Sequence, residues 1–155
     1  MNYIMDIIMI PIQAMIAFFS VYYFVLACFG FWKKKEKKNF QPKHTFAIVV
    51  SAHNEESVIG QLVENLHVLR YPKELYDIFI IADNCTDATA KVAREYGAIV
   101  HERFDKEIRG KGFAMEWMFA RLFKMKRQYD AVVVFDADNL VHPNFLLEMN
   151  NRLQK

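Results

Sequence analysis

The residues best suited to chemistry are four acids that follow short apolar runs. Glu55 follows one run, Asp83 follows the next, and Asp136 and Asp138 follow another near the end of the chain. If these runs are parallel strands, their carboxyl ends meet at the edge of a sheet where ligands bind. Asp136 and Asp138 would point to one side if the strand persists, and a divalent cation would relieve their repulsion. Oxygen ligands favour Mg²⁺ or Mn²⁺ over zinc.

Each acid also has a purely structural interpretation. Asp136 and Asp138 are alternatively caps for the loop and for the helix that starts near Pro143, and Thr86 or Asp87 is the N-cap of an earlier helix. Asp83 lies ahead of that cap, where capping does not explain it. A carboxylate at a strand tip can accept a hydrogen bond from the imide N–H of uracil, a donor that adenine lacks at the equivalent edge.

Two basic residues and one histidine complete the candidate set. Arg109 and Lys111 flank a glycine at a predicted helix start, which is a natural anion site. The alternative is that both are simply solvated. His53 lies between the first apolar run and Glu55, either at a binding site or as a packed or solvated strand-end residue.

The elements that must position these residues alternate between strand and helix. Four apolar, β-branched runs predict buried parallel strands over Phe46–Ala52, Ile78–Ala82, Ala98–His101 and Ala131–Phe135. Helical spacing of apolar residues predicts helices over Glu55–Leu69, Asp87–Tyr96 with Gly97 as its C-terminal cap, Lys111–Lys126, and from about Pro143 onward. This alternation predicts an α/β fold with a parallel sheet and helices on both faces.

The N-terminal segment differs from the rest. Ile7–Trp32 runs 26 residues without a charge, and as a helix it would be about 39 Å long, enough to cross roughly 30 Å of hydrocarbon. A cleaved signal peptide is disfavoured because Met1–Asp6 lacks a basic residue. The lysine run Lys33–Lys38 indicates the cytoplasmic side. We therefore expect a single transmembrane helix in residues 1–32, a basic linker in 33–44, and a cytosolic domain in 45–155 of a cytoplasmic-membrane protein.

The charge distribution argues against a nucleic-acid-binding protein. The chain has 20 basic and 18 acidic residues, and five of the basic residues are lysines within Lys33–Lys38. The remainder, residues 39–155, has 15 basic and 16 acidic residues, so it lacks an electrostatic motive for binding nucleic acid. Cys28 and Cys85 are the only cysteines, which excludes a disulfide scaffold or a zinc-cysteine cluster.

Four short motifs together resemble the family 2 glycosyltransferases. They are Ser51–Glu56 (SAHNEE), Ala82–Asp87 (ADNCTD), Arg109–Gly112 (RGKG) and Phe135–Asp138 (FDAD). The resemblance implies the GT-A fold, a Rossmann-like nucleotide-sugar-binding sheet. With a membrane anchor in front, the chain is similar to the membrane-bound branch, near cellulose, hyaluronan and poly-N-acetylglucosamine synthases and glycolipid glycosyltransferases.

The resemblance also implies roles for individual residues. Glu55 would line the nucleoside pocket, and Asp83 would hold uracil. His53 stands where the family often has tyrosine. Arg109 and Lys111 would approach the base and diphosphate. Asp136 would contact the ribose or the sugar, and Asp138 would ligate Mn²⁺ or Mg²⁺.

The implied reaction is inverting transfer from a UDP-sugar to a polysaccharide or lipid acceptor. The family's general base and acceptor-binding segments are expected beyond Lys155, so the chain would be a donor-binding half, with the catalytic residues unassigned. One alternative is a non-catalytic, membrane-tethered protein that binds nucleotide sugars. Another is a haloacid-dehalogenase-type phosphatase, in which Asp136 would attack phosphorus.

Overall fold

A computed structural model describes residues 3–30 and 40–154 of the 155-residue chain. The chain divides into two compact units, Met1–Lys37 and Lys38–Lys155. Trp32 and the lysine run Lys33–Lys38 lie outside the described residues, so the basic linker stays a prediction.

The N-terminal unit contains one helix, α1 (Tyr3–Gly30), of 28 residues. Its described side chains are exposed and mostly apolar, including Phe18, Tyr23 and Phe24. The segment Ile7–Gly30 is long and apolar enough to cross a membrane. The helical part of the prediction is therefore confirmed.

The second unit is built on a four-stranded parallel sheet. Its strands are β1 (Phe46–Ala52), β2 (Tyr76–Asp83), β3 (Ile99–Arg103) and β4 (Ala131–Asp136), in the order β3-β2-β1-β4. The register sets Val49 opposite Phe79 and Val50 opposite Ile80, all fully or almost fully buried. β1 is central and covered on both sides, which explains its unbroken apolar sequence.

Helices cover both faces of the sheet, as the sequence predicts. On one face, α2 (Ile59–His67), α3 (Thr89–Glu95) and α5 (Phe145–Leu153) contribute to the larger core cluster. On the other face, α4 (Lys111–Leu122) buries Ala114, Met118 and Leu122 in a second cluster. The alternating side chains of β1 and β2 supply both clusters.

The helices are shorter than their apolar spacing predicts. The helix predicted from Glu55 begins at Ile59, because the Glu55 carbonyl accepts hydrogen bonds from Val58 and Ile59 in a preceding turn. α4 ends at Leu122 and is followed by turns, although helical spacing continues to Lys126. The spacing of apolar side chains does not reveal where a helix begins or ends, since a turn next to the helix can place an apolar residue on the same face as the helix does.

Gly97 ends α3 as predicted. Its φ is +90°, its amide donates to Arg94 O (2.9 Å), and the Ala98 amide donates to Ala93 O (3.1 Å). These two bonds form a Schellman motif, in which glycine is favoured because a Cβ is disfavoured at positive φ. The motif turns the chain directly into β3.

Candidate functional site

The carboxyl ends of β1 and β2 and the start of α4 enclose a cleft of about 620 Å³. Ten residues line it, five of which were predicted from sequence: His53, Glu55, Asp83, Arg109 and Lys111. A separate cavity of about 320 Å³ lies between residues 40–42 and α5. Glu148 is the only charged residue lining that cavity, so it offers little to an anionic ligand.

Hydrogen bonds join the loop after β1 to the end of β2, the loop that follows it and the start of α3. Asn54 has a φ of 56°, and its Oδ1 accepts a hydrogen bond from the Thr86 amide (2.8 Å). The Glu55 amide donates to Thr89 Oγ1 (2.8 Å). The Nδ1–H of His53 donates to the Asp83 carbonyl oxygen (2.7 Å), because that oxygen can only accept. The two loops therefore form one side of the cleft together.

Asp87 serves this loop pairing rather than the cleft. Its Oδ1 accepts from the Thr89 amide (3.0 Å), and its Oδ2 accepts from the Glu56 amide (3.1 Å). Desolvation would raise the pKa of Asp87, but the bonds from the Thr89 hydroxyl and amide outweigh it and lower the pKa. Asp87 is therefore structural, but the N-cap prediction is wrong: α3 begins at Thr89, and its N-cap residue is Ala88.

Asp83 is buried and ion-paired, which its sequence context does not reveal. Its Oδ1 lies 2.7 Å from Nη1 of Arg103, and the two residues are 7% and 5% exposed. The Asn84 side-chain amide also donates to this oxygen (3.0 Å). Within the described chain both donors use Oδ1, so Oδ2 has capacity for a ligand on the cleft side.

Arg103, the ion-pair partner of Asp83, is absent from the residues predicted from sequence. It ends β3 directly opposite Asp83 in the parallel register. Its Nη2 contacts Asp105 Oδ2 (3.1 Å) and donates to the Ile108 carbonyl (2.5 Å). The sequence prediction ends this strand at His101, whereas β3 continues to Arg103, so the pairing with Asp83 was not foreseen.

Gly110 fixes the entry into α4. Its φ of +115° and ψ of 154° lie in a region that is essentially reserved for glycine. It joins Arg109 to Lys111, and the Lys111 ammonium group pairs with the Asp136 carboxylate. The glycine between the two basic residues is thus a backbone requirement.

The expected geometry of Asp136 and Asp138 is wrong in one respect. β4 ends at Asp136, and the Asn139 amide donates to the Asp136 carbonyl (3.2 Å) in a turn. The strand does not persist beyond Asp136, and Ala137 is buried in the larger core cluster. Asp138 lines a small cavity of about 130 Å³ that includes Val58 and Gln61.

The described residues contain no group of three or more His, Cys, Asp or Glu side chains able to hold a metal ion. Asp136 and Asp138 therefore supply at most a partial set of oxygen ligands. Such a set is compatible with Mg²⁺ or Mn²⁺, which are commonly held by one or two carboxylates together with substrate phosphates and water.

The sequence profile described as "Glycosyltransferase like family 2" matches residues 42–155. The chain belongs to that family. The match covers all four motifs and the whole cleft, so the loops described above form a family 2 glycosyltransferase domain. This membership argues against the phosphatase alternative.

Among curated relatives, the family 2 domain is 37% identical over 108 residues to a β-monoglucosyldiacylglycerol synthase of Nostoc sp. PCC 7120. The match covers 66% of this chain and 22% of that enzyme. The chain thus spans about a fifth of the length of the curated relative.

Solved structures confirm the GT-A fold. A mannosyltransferase of Pyrobaculum calidifontis, in complex with GDP-mannose and Mn²⁺, matches with a TM-score of 0.70 at 20% identity, over 93% of this chain and 43% of that one. A glucosyl-3-phosphoglycerate synthase of Mycobacterium tuberculosis, in complex with Mn²⁺, UDP and phosphoglyceric acid, matches with a TM-score of 0.53 at 26% identity. That match covers 66% of this chain and 36% of the other.

Proposed function

We propose that this chain is the donor-binding part of a membrane-bound glycosyltransferase that uses a UDP-sugar. The observation that carries the proposal is the gathering of Asp83, Arg109 and Lys111 around one cleft at the carboxyl end of a parallel sheet. The carboxylate suits the base of a nucleoside diphosphate, and the two cations suit its diphosphate. The 26%-identical synthase in complex with UDP supports the same assignment.

Asp83 recognises the base. Oδ1 is occupied by Arg103 and Asn84, which directs Oδ2 to the imide N–H of uracil. His53 and Glu55 line the same cleft and complete the nucleoside pocket. Burial of Asp83 strengthens the preference for uracil, because a base without the imide N–H would leave a polar group unpaired in a partly dry pocket, at a cost of about 1–3 kcal/mol.

Arg109 and Lys111 bind the diphosphate. Both line the cleft at the beginning of α4, where the first backbone amides of the helix also point toward an anion. Lys111 can exchange its carboxylate partner for a phosphate oxygen, and Asp136 then faces the ribose or the sugar. The helix start and the two side chains supply positive charge at the leaving-group end of the donor.

Asp138, with Asp136 beside it, would hold a divalent cation, Mn²⁺ or Mg²⁺. Bound with the diphosphate, the cation would neutralise the charge that develops on the leaving group. The Mn²⁺ in the complex of the mycobacterial synthase supports divalent metal use.

The acceptor is a membrane lipid or a growing polysaccharide. We favour a lipid, because the curated relative is named for a glucosyl-diacylglycerol product and Ile7–Gly30 is apolar enough to hold the domain at a membrane. The acceptor hydroxyl oxygen forms the new bond to the anomeric carbon as the bond to UDP breaks. A general base takes the proton of that hydroxyl.

Isothermal titration of the 155-residue chain in lipid nanodiscs with UDP and N3-methyl-UDP tests the base pocket. The methyl group replaces the imide N–H and leaves the rest of the ligand unchanged. We expect N3-methyl-UDP and ADP to bind about 5- to 150-fold more weakly than UDP. Equal affinities for UDP and N3-methyl-UDP would refute the uridine assignment.

A further inference from the structure

We propose that Arg103 is a positioning residue that locks the base-binding carboxylate and the diphosphate-binding loop into one arrangement. The inference rests on the proposed function, since it assigns Asp83 to the base and Arg109 and Lys111 to the diphosphate. Arg103 itself contacts no nucleotide in this scheme. It acts through Asp83 on one side and through the loop from Asp105 to Gly110 on the other.

The first half of the lock is the buried ion pair with Asp83. Nη1 of Arg103 lies 2.7 Å from Asp83 Oδ1, and both side chains are almost fully buried. Because Oδ1 is held in place by this pair, the direction of the other carboxylate oxygen, Oδ2, is also fixed. Because the pair is shielded from water, a water molecule cannot take the place of either partner.

The second half of the lock is the loop that leads to α4. Nη2 of Arg103 contacts Asp105 Oδ2 (3.1 Å) and the Ile108 carbonyl (2.5 Å). Asp105 Oδ1 in turn accepts from the amides of Glu107 (3.0 Å) and Ile108 (2.9 Å). The bond from the Ile108 amide is the main reason why the pKa of Asp105 is lowered. The loop is therefore held next to Arg109.

Asn84 closes the network into a ring. The backbone amide of Asn84 donates to the backbone carbonyl of Arg103 (2.7 Å). In its side chain, Oδ1 accepts from the backbone amide of Asp105 (2.8 Å), and Nδ2 donates to Asp83 Oδ1 (3.0 Å). A φ of 52° brings these groups within reach, and asparagine tolerates this conformation better than most residues. Asp83 and Asp105 are thus joined by two routes.

Only arginine suits the central position of this ring. Its planar fork binds Asp83 with one nitrogen, and Asp105 and the Ile108 carbonyl with the other. Lysine would keep the positive charge but would present one compact ammonium group instead of a rigid fork. Arg103→Lys therefore removes the planar fork of Arg103 and keeps its positive charge, so it tests the geometric role alone.

Titration of wild type and Arg103→Lys in nanodiscs with UDP and N3-methyl-UDP tests the base side. We expect Arg103→Lys to lower UDP affinity about 10-fold and the affinity for N3-methyl-UDP much less, so the preference for UDP should fall by nearly the same factor. Arg94→Lys is the matched control, because Arg94 pairs with Glu102 at an exposed site (2.5 Å) away from the cleft. It should behave as wild type does.

Trypsin digestion tests the loop side without any nucleotide. Lys106 and Arg109 lie within the loop, and we expect faster cleavage there in Arg103→Lys and in Asp105→Asn than in wild type or Arg94→Lys. Asp105→Asn acts at the outer end of the ring, where 33% of the side chain is exposed, so it keeps the test valid if Arg103→Lys folds poorly.

The outcomes separate the two proposals. If wild type binds UDP and N3-methyl-UDP equally, the uridine pocket is wrong, and the Arg103 proposal falls with it. If wild type discriminates and the variants keep both the discrimination and the slow cleavage, the positioning role alone is overturned. A purely structural Arg103 would change the melting temperature without changing the preference between the two nucleotides.

Discussion

The Lys111 ammonium group pairs with the Asp136 carboxylate, joining the first residue of α4 to the last residue of β4. Their side chains are 50% and 58% exposed, respectively. A solvent-exposed pair of this kind contributes little to stability, about 0–1 kcal/mol. In the proposed function, its significance is that each partner can exchange the other for part of a donor substrate.

Lys111→Met should reduce UDP affinity and leave uridine affinity unchanged. The loss of one charge-assisted contact to phosphate corresponds to about 10-fold weaker UDP binding. The melting temperature should stay close to that of wild type, because the lost pair is exposed.

Titration of the chain in nanodiscs with both ligands measures this, and Lys124→Met, outside the cleft, is the control. An equal loss for UDP and uridine would mean that Lys111 does not act on the diphosphate.

The sheet and most of the cleft were predictable because their signals are local. Unbroken apolar runs identify parallel strands buried on both faces, and strand ends of a parallel sheet meet at one edge. Glu55 and Asp83 could therefore be assigned to one site from the sequence. The family motifs added His53, and together with the predicted helix start they added Arg109 and Lys111.

What escaped prediction depends on contacts between distant residues. Arg103 acquires its role only through the register that sets it opposite Asp83, and a single sequence does not state that register. Asn54 and Asn84 adopt positive φ values because of bonds made across the two loops.

Asp138→Asn should weaken UDP binding much more in Mn²⁺ than in EDTA. An amide is a poorer ligand than a carboxylate for a hard cation, so only the metal-dependent part of the affinity is lost. We expect on the order of a 10-fold loss in Mn²⁺ and almost none in EDTA.

Glu64→Gln on the exposed surface of α2 is the matched control. Equal losses in Mn²⁺ and EDTA would support the structural interpretation, in which Asp138 only caps the turn after β4.

Asn150→Leu should destabilise the second unit strongly. Asn150 is fully buried, and its Oδ1 accepts from the amides of Lys43 (3.1 Å) and His44 (3.3 Å). Leucine keeps the volume but leaves these amides without the acceptor, so we expect a loss of about 2–4 kcal/mol in the free energy of unfolding.

Urea unfolding measures this change. Asn151→Ala is the comparison, since Asn151 is half-buried and accepts one bond, from the Phe40 amide (2.9 Å). It should lose about 0.5–1.5 kcal/mol. Similar losses in the two variants would contradict the role of Asn150 as the anchor of the segment before β1.

The lysine run should lie on the cytoplasmic side of the membrane. In inside-out vesicles, trypsin should cleave within Lys33–Lys38 and release the second unit, whereas in right-side-out vesicles the chain should stay intact. A variant with all five lysines changed to glutamine should lose this preferred orientation. Cleavage of wild type from the outside alone would reverse the proposed topology and remove access to cytosolic nucleotide sugars.

His101 should make the second unit less stable in mild acid. Its ring stacks on Phe79 at 6.1 Å and meets the edge of Trp117, and its buried Nε2 has no hydrogen-bond partner within the described residues. Burial, and secondarily the positive charge of Arg121, lower the pKa of His101 below its usual value of 6.5.

The unfolded chain therefore takes up a proton at this position at a higher pH than the folded chain does. The contribution of neutral His101 is fully present above pH 6.5 and is lost as the pH falls below that value toward the folded pKa. His101→Phe keeps an aromatic ring between Phe79 and Trp117 but cannot be protonated. As the pH is lowered from about 7.5 to about 5.5, the melting temperature of His101→Phe should fall less than that of wild type.

Thermal melting of both proteins across this interval measures the difference, and His67→Gln, on the exposed end of α2, controls for the loss of a histidine as such. Because the comparison subtracts the titration of all other groups, a parallel decline in wild type and His101→Phe would show that His101 is solvated when the chain is folded. A steeper decline in wild type alone would show that the folded state lowers the pKa of His101, as its burial and the charge of Arg121 predict.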